Sequence, residues 1–251
     1  MKTRNVWIYL FCLMGACLMQ GCSVEDDEVD EINQKINSND GYASSSIAAQ
    51  SISALVTTKT TEDGAFYLQE SEKRLLHPVN LQTSPFGNKE VRAIVIYNEV
   101  VQTGTNKTGM VDVYVKWIDE IHTRKATDLS NEQVRQSAEE RKRIHGEETI
   151  EIVNDWVNSL TDGYLTLHYQ TNGLGVNDIE LLTGGNPEDP YEMTLWAIPA
   201  SNSSTRLPAD GVIAYKLSGL PPTNGEVKIA TLRWYSPNGW KQAQFYYQTK
   251  N

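Results

Sequence analysis

An all-β chain of two units, a small barrel followed by a β-sandwich, joined by a short and mostly helical connector, is the fold class that this sequence predicts. Three observations carry the reading. From Ser51 onward, apolar residues recur at period two over many short stretches, which is the spacing of half-buried strands. Turn dipeptides such as Asp63-Gly64, Asp162-Gly163 and Asn238-Gly239 stand between those stretches. A single polar stretch, residues 126–147, breaks the alternation and carries a helix-start signal.

The barrel is expected over residues 47–125. "ISALVTTKT", the Glu62-Asp63-Gly64 turn and "AFYLQ" predict a hairpin, and "VRAIVIYNEV" and "VDVYVKWIDEI" predict two further strands. In the last of these, Val111, Val113, Val115 and Trp117 are expected on one face, with Asp112, Tyr114 and Lys116 on the other. Four or five short strands of this kind fit a small closed barrel. In the connector, Ser130 followed by Gln133 predicts a capping box, and Glu139 and Arg143 are spaced for an i,i+4 pair. Between Ser130 and Gly146 the apolar residues are Val134, Ala138 and Ile144, so the helix is expected to be largely solvated. Acids flank Arg141-Lys142-Arg143 on both sides, and the cluster reads as a solvated face. Over residues 148–251, seven strand-like segments with regular turn signals predict the sandwich.

The N-terminus reads as an export signal. Lys2 and Arg4 precede an apolar run of 14 residues from Val6 to Met19, which is short for a membrane span of about 20 residues. Leu18-Met19-Gln20-Gly21-Cys22 has the form of a lipobox, so residues 1–21 are expected to be a lipoprotein signal peptide and Cys22 the lipid attachment site. Cys12 and Cys17 would leave with the signal, and a mature chain with Cys22 as its one thiol must be held together by its core. Each buried lipid CH₂ contributes about 0.8 kcal/mol, so several acyl chains anchor a protein firmly to a membrane. Residues 22–46 read as a flexible acidic tether. Of the nine residues after Cys22, Glu25, Asp26, Asp27, Glu28, Asp30 and Glu31 are acidic.

Composition narrows the function. The chain holds 32 acids against 22 Lys and Arg, a formal charge of −10, and losing Lys2 and Arg4 makes it more negative. Nonspecific nucleic-acid binding needs phosphate neutralisation, so no nucleic-acid partner is expected. The sequence has no Gly-x-Ser-x-Gly elbow and no phosphate-binding glycine loop. His77, His122, His145 and His168 do not form a ligand-spaced pair, and "NSNDG" lacks the closing glutamate of a calcium loop, so neither metal nor cofactor is expected. His168 alternates with Thr166 and Gln170 and reads as a surface histidine on a polar strand face. Carboxylate pairs such as Asp178 with Glu180, or Glu188-Asp189, leave a cryptic glycoside hydrolase as the least favoured alternative. The alternation places Trp196 beside Glu192 and Thr194, and Trp240 and Tyr246 beside Gln242, Gln244 and Gln248. Exposed aromatics among polar groups can contact a sugar or a protein, so Trp196, Trp240 and Tyr246 are the candidate partner contacts.

The segments "ALVTTKTTEDGAFYLQ", "PVNLQTSPFGNKEVRAIV", "VDVYVKWIDEIHTRKA", "IEIVNDWVNSLTDGYLTLHYQ" and "LTGGNPEDPYEMTL", in this order, resemble the NigD-like lipoproteins of Gram-negative gut and oral anaerobes. The resemblance implies an N-terminal OB-type barrel and a C-terminal β-sandwich. The family name comes from a bacteriocin operon and implies an immunity role; no active site is assigned, so no catalytic residue carries over. "NDIELL" (177–182) and "LWAI" (195–198) depart from a basic, histidine-containing stretch associated with relatives. The acids Glu25, Asp26, Asp27 and Glu28 resemble the surface-export signal of lipoproteins in such bacteria, and Ser23 does not match an inner-membrane retention signal. The expectation is therefore a noncatalytic lipoprotein of the outer membrane, exposed at the cell surface, that binds a protein or glycan partner.

Overall fold

The computed structural model describes residues 47–100, 109–171, 176–199 and 210–249. Cys22, the acidic run and the rest of the tether lie outside the described residues.

The first unit is a closed barrel in the order β1-β2-β3-β5-β4. Its strands are β1 (Ile47–Thr60), β2 (Phe66–Gln69), β3 (Leu75–Pro78), β4 (Arg92–Val100) and β5 (Val111–Glu120). The long β1 closes the ring, pairing with β4 along most of its length and with β2 at its C-terminal end. The β1–β2 turn is the predicted one, with Gly64 at φ 88°, a conformation that glycine adopts without steric cost. Val56, Phe66, Leu68, Leu76, Val95, Val113 and Val115 fill the interior. β5 departs from simple alternation. Tyr97 pairs with Val115 and Ile96 with Trp117, so Lys116 is an extra residue in a β-bulge. The bulge shifts the phase by one, and Ile118 rather than Trp117 takes the next interior place.

The second unit is a sandwich. One sheet runs β6-β13-β10-β8 with β9 also on β10; the other runs β15-β14-β12-β11-β7. The strands are β6 (Thr123–Lys125), β7 (Thr127–Asp128), β8 (Ile150–Ile152), β9 (Ser159–Thr161), β10 (Tyr164–Thr171), β11 (Val176–Thr183), β12 (Glu192–Pro199), β13 (Asp210–Lys216), β14 (Lys228–Ser236) and β15 (Gly239–Tyr247). Leu165, Leu167, Ile179, Leu181, Leu195, Ile213, Leu232 and Trp234 form much of the core between the sheets. Helix α1 (Glu132–His145) separates β7 from β8.

The boundary differs from the sequence reading. Residues 123–128, assigned to the barrel's end and the connector, supply one strand to each sandwich sheet. β6 pairs parallel with β13 and β7 parallel with β11, and Ala126 between them is buried in the sandwich core. Strands of two or three residues carry no readable alternation, and their partners lie far along the chain.

Barrel and sandwich meet through a mixed seam. Leu55, Ile94 and Ile121 of the barrel pack on Ala214, with Trp117 and Val212 at the margin. Beside them Arg92 is fully buried, its Nε donating to Thr166 Oγ1 (3.2 Å), Nη1 to Thr57 Oγ1 (3.3 Å) and Nη2 to Thr161 Oγ1 (2.7 Å). Burial lowers the Arg92 pKa to about 10, opposed by the charge of Asp162, so the guanidinium remains charged. The Asp162-Gly163 turn is a two-residue hairpin loop with both φ values positive, and it points its carboxylate at the barrel. Asp162 Oδ1 accepts from Lys59 Nζ and Gln69 Nε2, both at 2.8 Å. Tyr164 donates to Glu90 Oε1 at 2.8 Å from the next strand.

Candidate functional site

The two outward faces of the sandwich are built differently. Of the outward residues of β10, Tyr164, Thr166 and His168 are buried and Gln170, at the far end, is exposed. The barrel covers the first two, and the loop between β8 and β9 covers the third. His168 is not the surface residue that alternation predicts. Its Nδ1 lies 2.5 Å from Asp155 Oδ2 and its Nε2 2.6 Å from Asp210 Oδ1. Asn158 reinforces the contact, accepting from the His168 backbone N–H at 2.9 Å. Burial pulls the His168 pKa down, but the hydrogen bonds and charges of Asp155 and Asp210 outweigh it and raise the pKa above its ordinary value. The geometry of the cluster suits a clamp that fixes the loop to the strand.

On the opposite sheet, helix α1 covers one half of the outward face. Its N-cap is Asn131, one residue later than the predicted Ser130, with Oδ1 accepting from Gln133 N (2.9 Å) and Val134 N (3.3 Å). Arg143 pairs with Glu140 at i,i+3 rather than with Glu139. The helix ends at Gly146, whose carbonyl accepts the Trp196 indole N–H at 3.0 Å. Trp196 is 0 % exposed. Arg141 and Lys142 each lie 5.6 Å from its ring centroid, and Arg141 makes a two-pronged ion pair with Glu180. The expectation of Trp196 as a partner contact is therefore corrected: a strand-face aromatic beside polar neighbours is shielded by a helix distant in sequence. Arg141 and Lys142 pack on that ring, whereas Arg143 alone of the cluster is solvated.

The other half of that face, β14 and β15, is open. Outward on β14 stand Ile229, Thr231, Arg233 and Tyr235; outward on β15 stand Trp240, Gln242, Gln244 and Tyr246. Cross-strand pairing sets them in four rungs: Tyr235 with Trp240, Arg233 with Gln242, Thr231 with Gln244, and Ile229 with Tyr246. Trp240 is 51 % and Tyr246 77 % exposed, as the sequence predicts. Tyr235 and Trp240 have ring centroids 5.7 Å apart, and Arg233 Cζ sits 5.5 Å from the Trp240 ring. Arg233 also reaches Glu192 at 3.5 Å. Alternation within β14 alone does not single out Tyr235 and Arg233; their place beside Trp240 and Gln242 comes from the β14–β15 register.

Other places carry less. A cleft of about 250 Å³ between α1 and the sheet, lined in part by Ala138, Lys142, Leu182, Glu192 and Thr194, is below the about 300–1,000 Å³ usual for ligand pockets. Asp178 pairs with Arg124 and Glu180 with Arg141, so these carboxylates are held by separate arginines rather than facing a common substrate. Among the described residues no group of three His, Cys, Asp or Glu is arranged to hold a metal. No helix among them is long and apolar enough to cross a membrane.

An OB-type barrel leading into a two-sheet sandwich with an open aromatic face defines a two-domain β protein. Residues 55–121 match the NigD-like N-terminal OB domain and residues 132–247 the NigD-like C-terminal β-sandwich domain. The chain belongs to the NigD-like family, and neither domain description names a catalytic activity. Solved structures share the fold, among them the following three. A Parabacteroides distasonis protein named as a candidate toxin-related protein is 22 % identical with TM-score 0.56, the match covering 79 % of this chain and 94 % of that one. A Bacteroides vulgatus protein of unknown function is 16 % identical with TM-score 0.54, over 80 % of this chain and 92 % of that one. A third, from Parabacteroides merdae, is 8 % identical with TM-score 0.50, over 78 % and 98 %. No functionally curated protein matches the sequence.

Proposed function

We propose that this protein is a noncatalytic lipoprotein, anchored through Cys22 in the outer membrane, that holds a macromolecular partner at the cell surface on the open face of β14 and β15. The observation that carries the reading is the exposure of Trp240 and Tyr246 on the paired strands β14 and β15, the half of their sheet's outward face that α1 leaves open. Aromatic side chains, with two torsions each, give large contact area at small entropic cost. The lipobox and the acids Glu25, Asp26, Asp27 and Glu28 support the anchor and the outward address. Immunity against a protein toxin, which the family name implies, is the alternative in which the partner is a protein.

The test is a photo-crosslinking residue placed at Gln244, on the open face, and in a second strain at Gln136, on the solvated side of α1. On intact cells the Gln244 probe is expected to yield a discrete adduct and the Gln136 probe none. Equal yields, or no adduct from either probe, contradict the reading. Protease treatment of intact cells tests the address: the wild type is expected to be digested. A variant with Glu25, Asp26, Asp27 and Glu28 all changed to alanine is expected to be protected.

A further inference from the structure

We infer that the open face of β14 and β15 is a binding platform for a neutral polysaccharide chain. The inference rests on the proposal that this face binds a macromolecule, and it names the chemistry of the partner.

The distribution of residues along the face decides between sugar and protein. A protein interface has an apolar, water-excluding centre and a polar rim. This face is arranged the other way round. Its aromatics lie at the two ends, Tyr235 with Trp240 and then Tyr246, and its middle rungs are Arg233 with Gln242 and Thr231 with Gln244. A protein patch laid over it would bury two carboxamides, a hydroxyl and a guanidinium at its centre, each needing its own partner. A polysaccharide meets the arrangement directly. The C–H faces of sugar rings stack on aromatic rings, and hydroxyls both donate to and accept from carboxamides. Trp240 and Tyr246 are six residues apart on one strand, which is about 20 Å at strand rise, so the occupant is an extended chain of several rings rather than a single sugar.

Charge selects the kind of chain. β14 and β15 carry no acid from Lys228 to Tyr247, so a cationic chain finds no carboxylate along the strands. The charge at the centre, Arg233, already faces Glu192 at 3.5 Å and lies against the Trp240 ring. The protein as a whole is strongly acidic and repels an anionic chain. A neutral chain pays neither penalty. Of the other cations on these strands, Lys241 of β15 points to the opposite side and is held by Glu151 at 2.8 Å, and Lys228 of β14 is paired with Glu226.

The experiment is affinity electrophoresis of the detergent-solubilised full-length protein through gels holding a neutral polysaccharide (β-glucan, α-glucan, mannan or xylan) or the anionic polygalacturonate. At least one neutral polymer is expected to retard the protein, and polygalacturonate is not. Trp240→Ala and Tyr246→Ala are each expected to weaken the retardation at least tenfold with unchanged melting, and Gln244→Ala at least threefold. Trp156→Ala, an exposed tryptophan elsewhere, is expected to leave it unchanged. The inference is overturned if no neutral polymer retards the protein, if polygalacturonate alone does, or if Trp240→Ala migrates as the wild type. If the Gln244 probe captures a protein on intact cells and no polymer retards the protein, the sugar assignment fails and the binding proposal stands. If neither occurs, both fail.

Discussion

On the sheet that faces the barrel, three of the four outward residues of β10, Tyr164, Thr166 and His168, are buried, and only the terminal Gln170 is exposed; on β15 of the opposite sheet the outward residues are Trp240, Gln242, Gln244 and Tyr246, and all are exposed. The polar face is the covered one and the more aromatic face the open one. The difference lies in what each face can satisfy. Thr166 and His168 have partners waiting in Arg92, Asp155 and Asp210, so covering them strands no polar group. Trp240 and Tyr246 have no such cover among the described residues, and large exposed aromatics grouped on one face mark an interaction surface. Trp196 shows the third arrangement. Its indole N–H is satisfied by the end of α1, and its ring lies beneath two cations of that helix.

Four substitutions sharpen or break this comparison. The largest loss is expected from Trp196→Ala, which empties a fully enclosed site and costs about 3–5 kcal/mol, read by urea denaturation. A loss below about 1 kcal/mol would mean that α1 does not cover the ring. Arg92→Ala removes a buried cation and leaves Thr57, Thr161 and Thr166 without its donors, with an expected cost of about 3 kcal/mol. Asp155→Asn acts through His168. The raised pKa means that the fold favours the protonated ring. That stabilisation is complete below about pH 6.5 and disappears as pH rises through the folded value. The wild type should therefore lose stability on going from pH 6 to pH 9. Asp155→Asn should reduce that slope, costing about 1–2 kcal/mol at pH 6 and less at pH 9. An unchanged slope would show that Asp155 is not what holds the proton. The smallest stability effect belongs to Trp240→Ala, within about 0.5 kcal/mol of the wild type. A tryptophan whose loss leaves the fold intact is free to serve a partner, and a large loss there would place it in the core instead.

Much of the architecture was legible in the sequence, because period-two alternation and glycine turns are local signals. The Asp63-Gly64, Asp162-Gly163 and Asn238-Gly239 turns all join the strands expected of them. The misreadings have one physical origin. Alternation tells which residues share a face but not what covers that face. Trp196 and His168 were therefore read as exposed, although a helix some 50 residues away in sequence covers one and a loop held by Asp155 the other. The bulge at Lys116 shifted the interior from Trp117 to Ile118, and an inserted residue has no composition that announces it. β6 and β7 were missed because parallel pairing of two or three residues is specified by distant strands. Of the candidate contacts, Trp240 and Tyr246 lie where alternation placed them, and the partnering of Tyr235 and Arg233 needed the β14–β15 register.

An open face presented outward is tested most directly by thiol labelling. Gln244→Cys and Thr166→Cys are introduced singly, and intact cells are treated with a membrane-impermeant maleimide. The account predicts that Gln244→Cys is labelled on intact cells and that Thr166→Cys, beneath the barrel, is labelled only after unfolding. Labelling of Gln244→Cys only after the outer membrane is permeabilised, or equal labelling of the two positions in the folded protein, would contradict it.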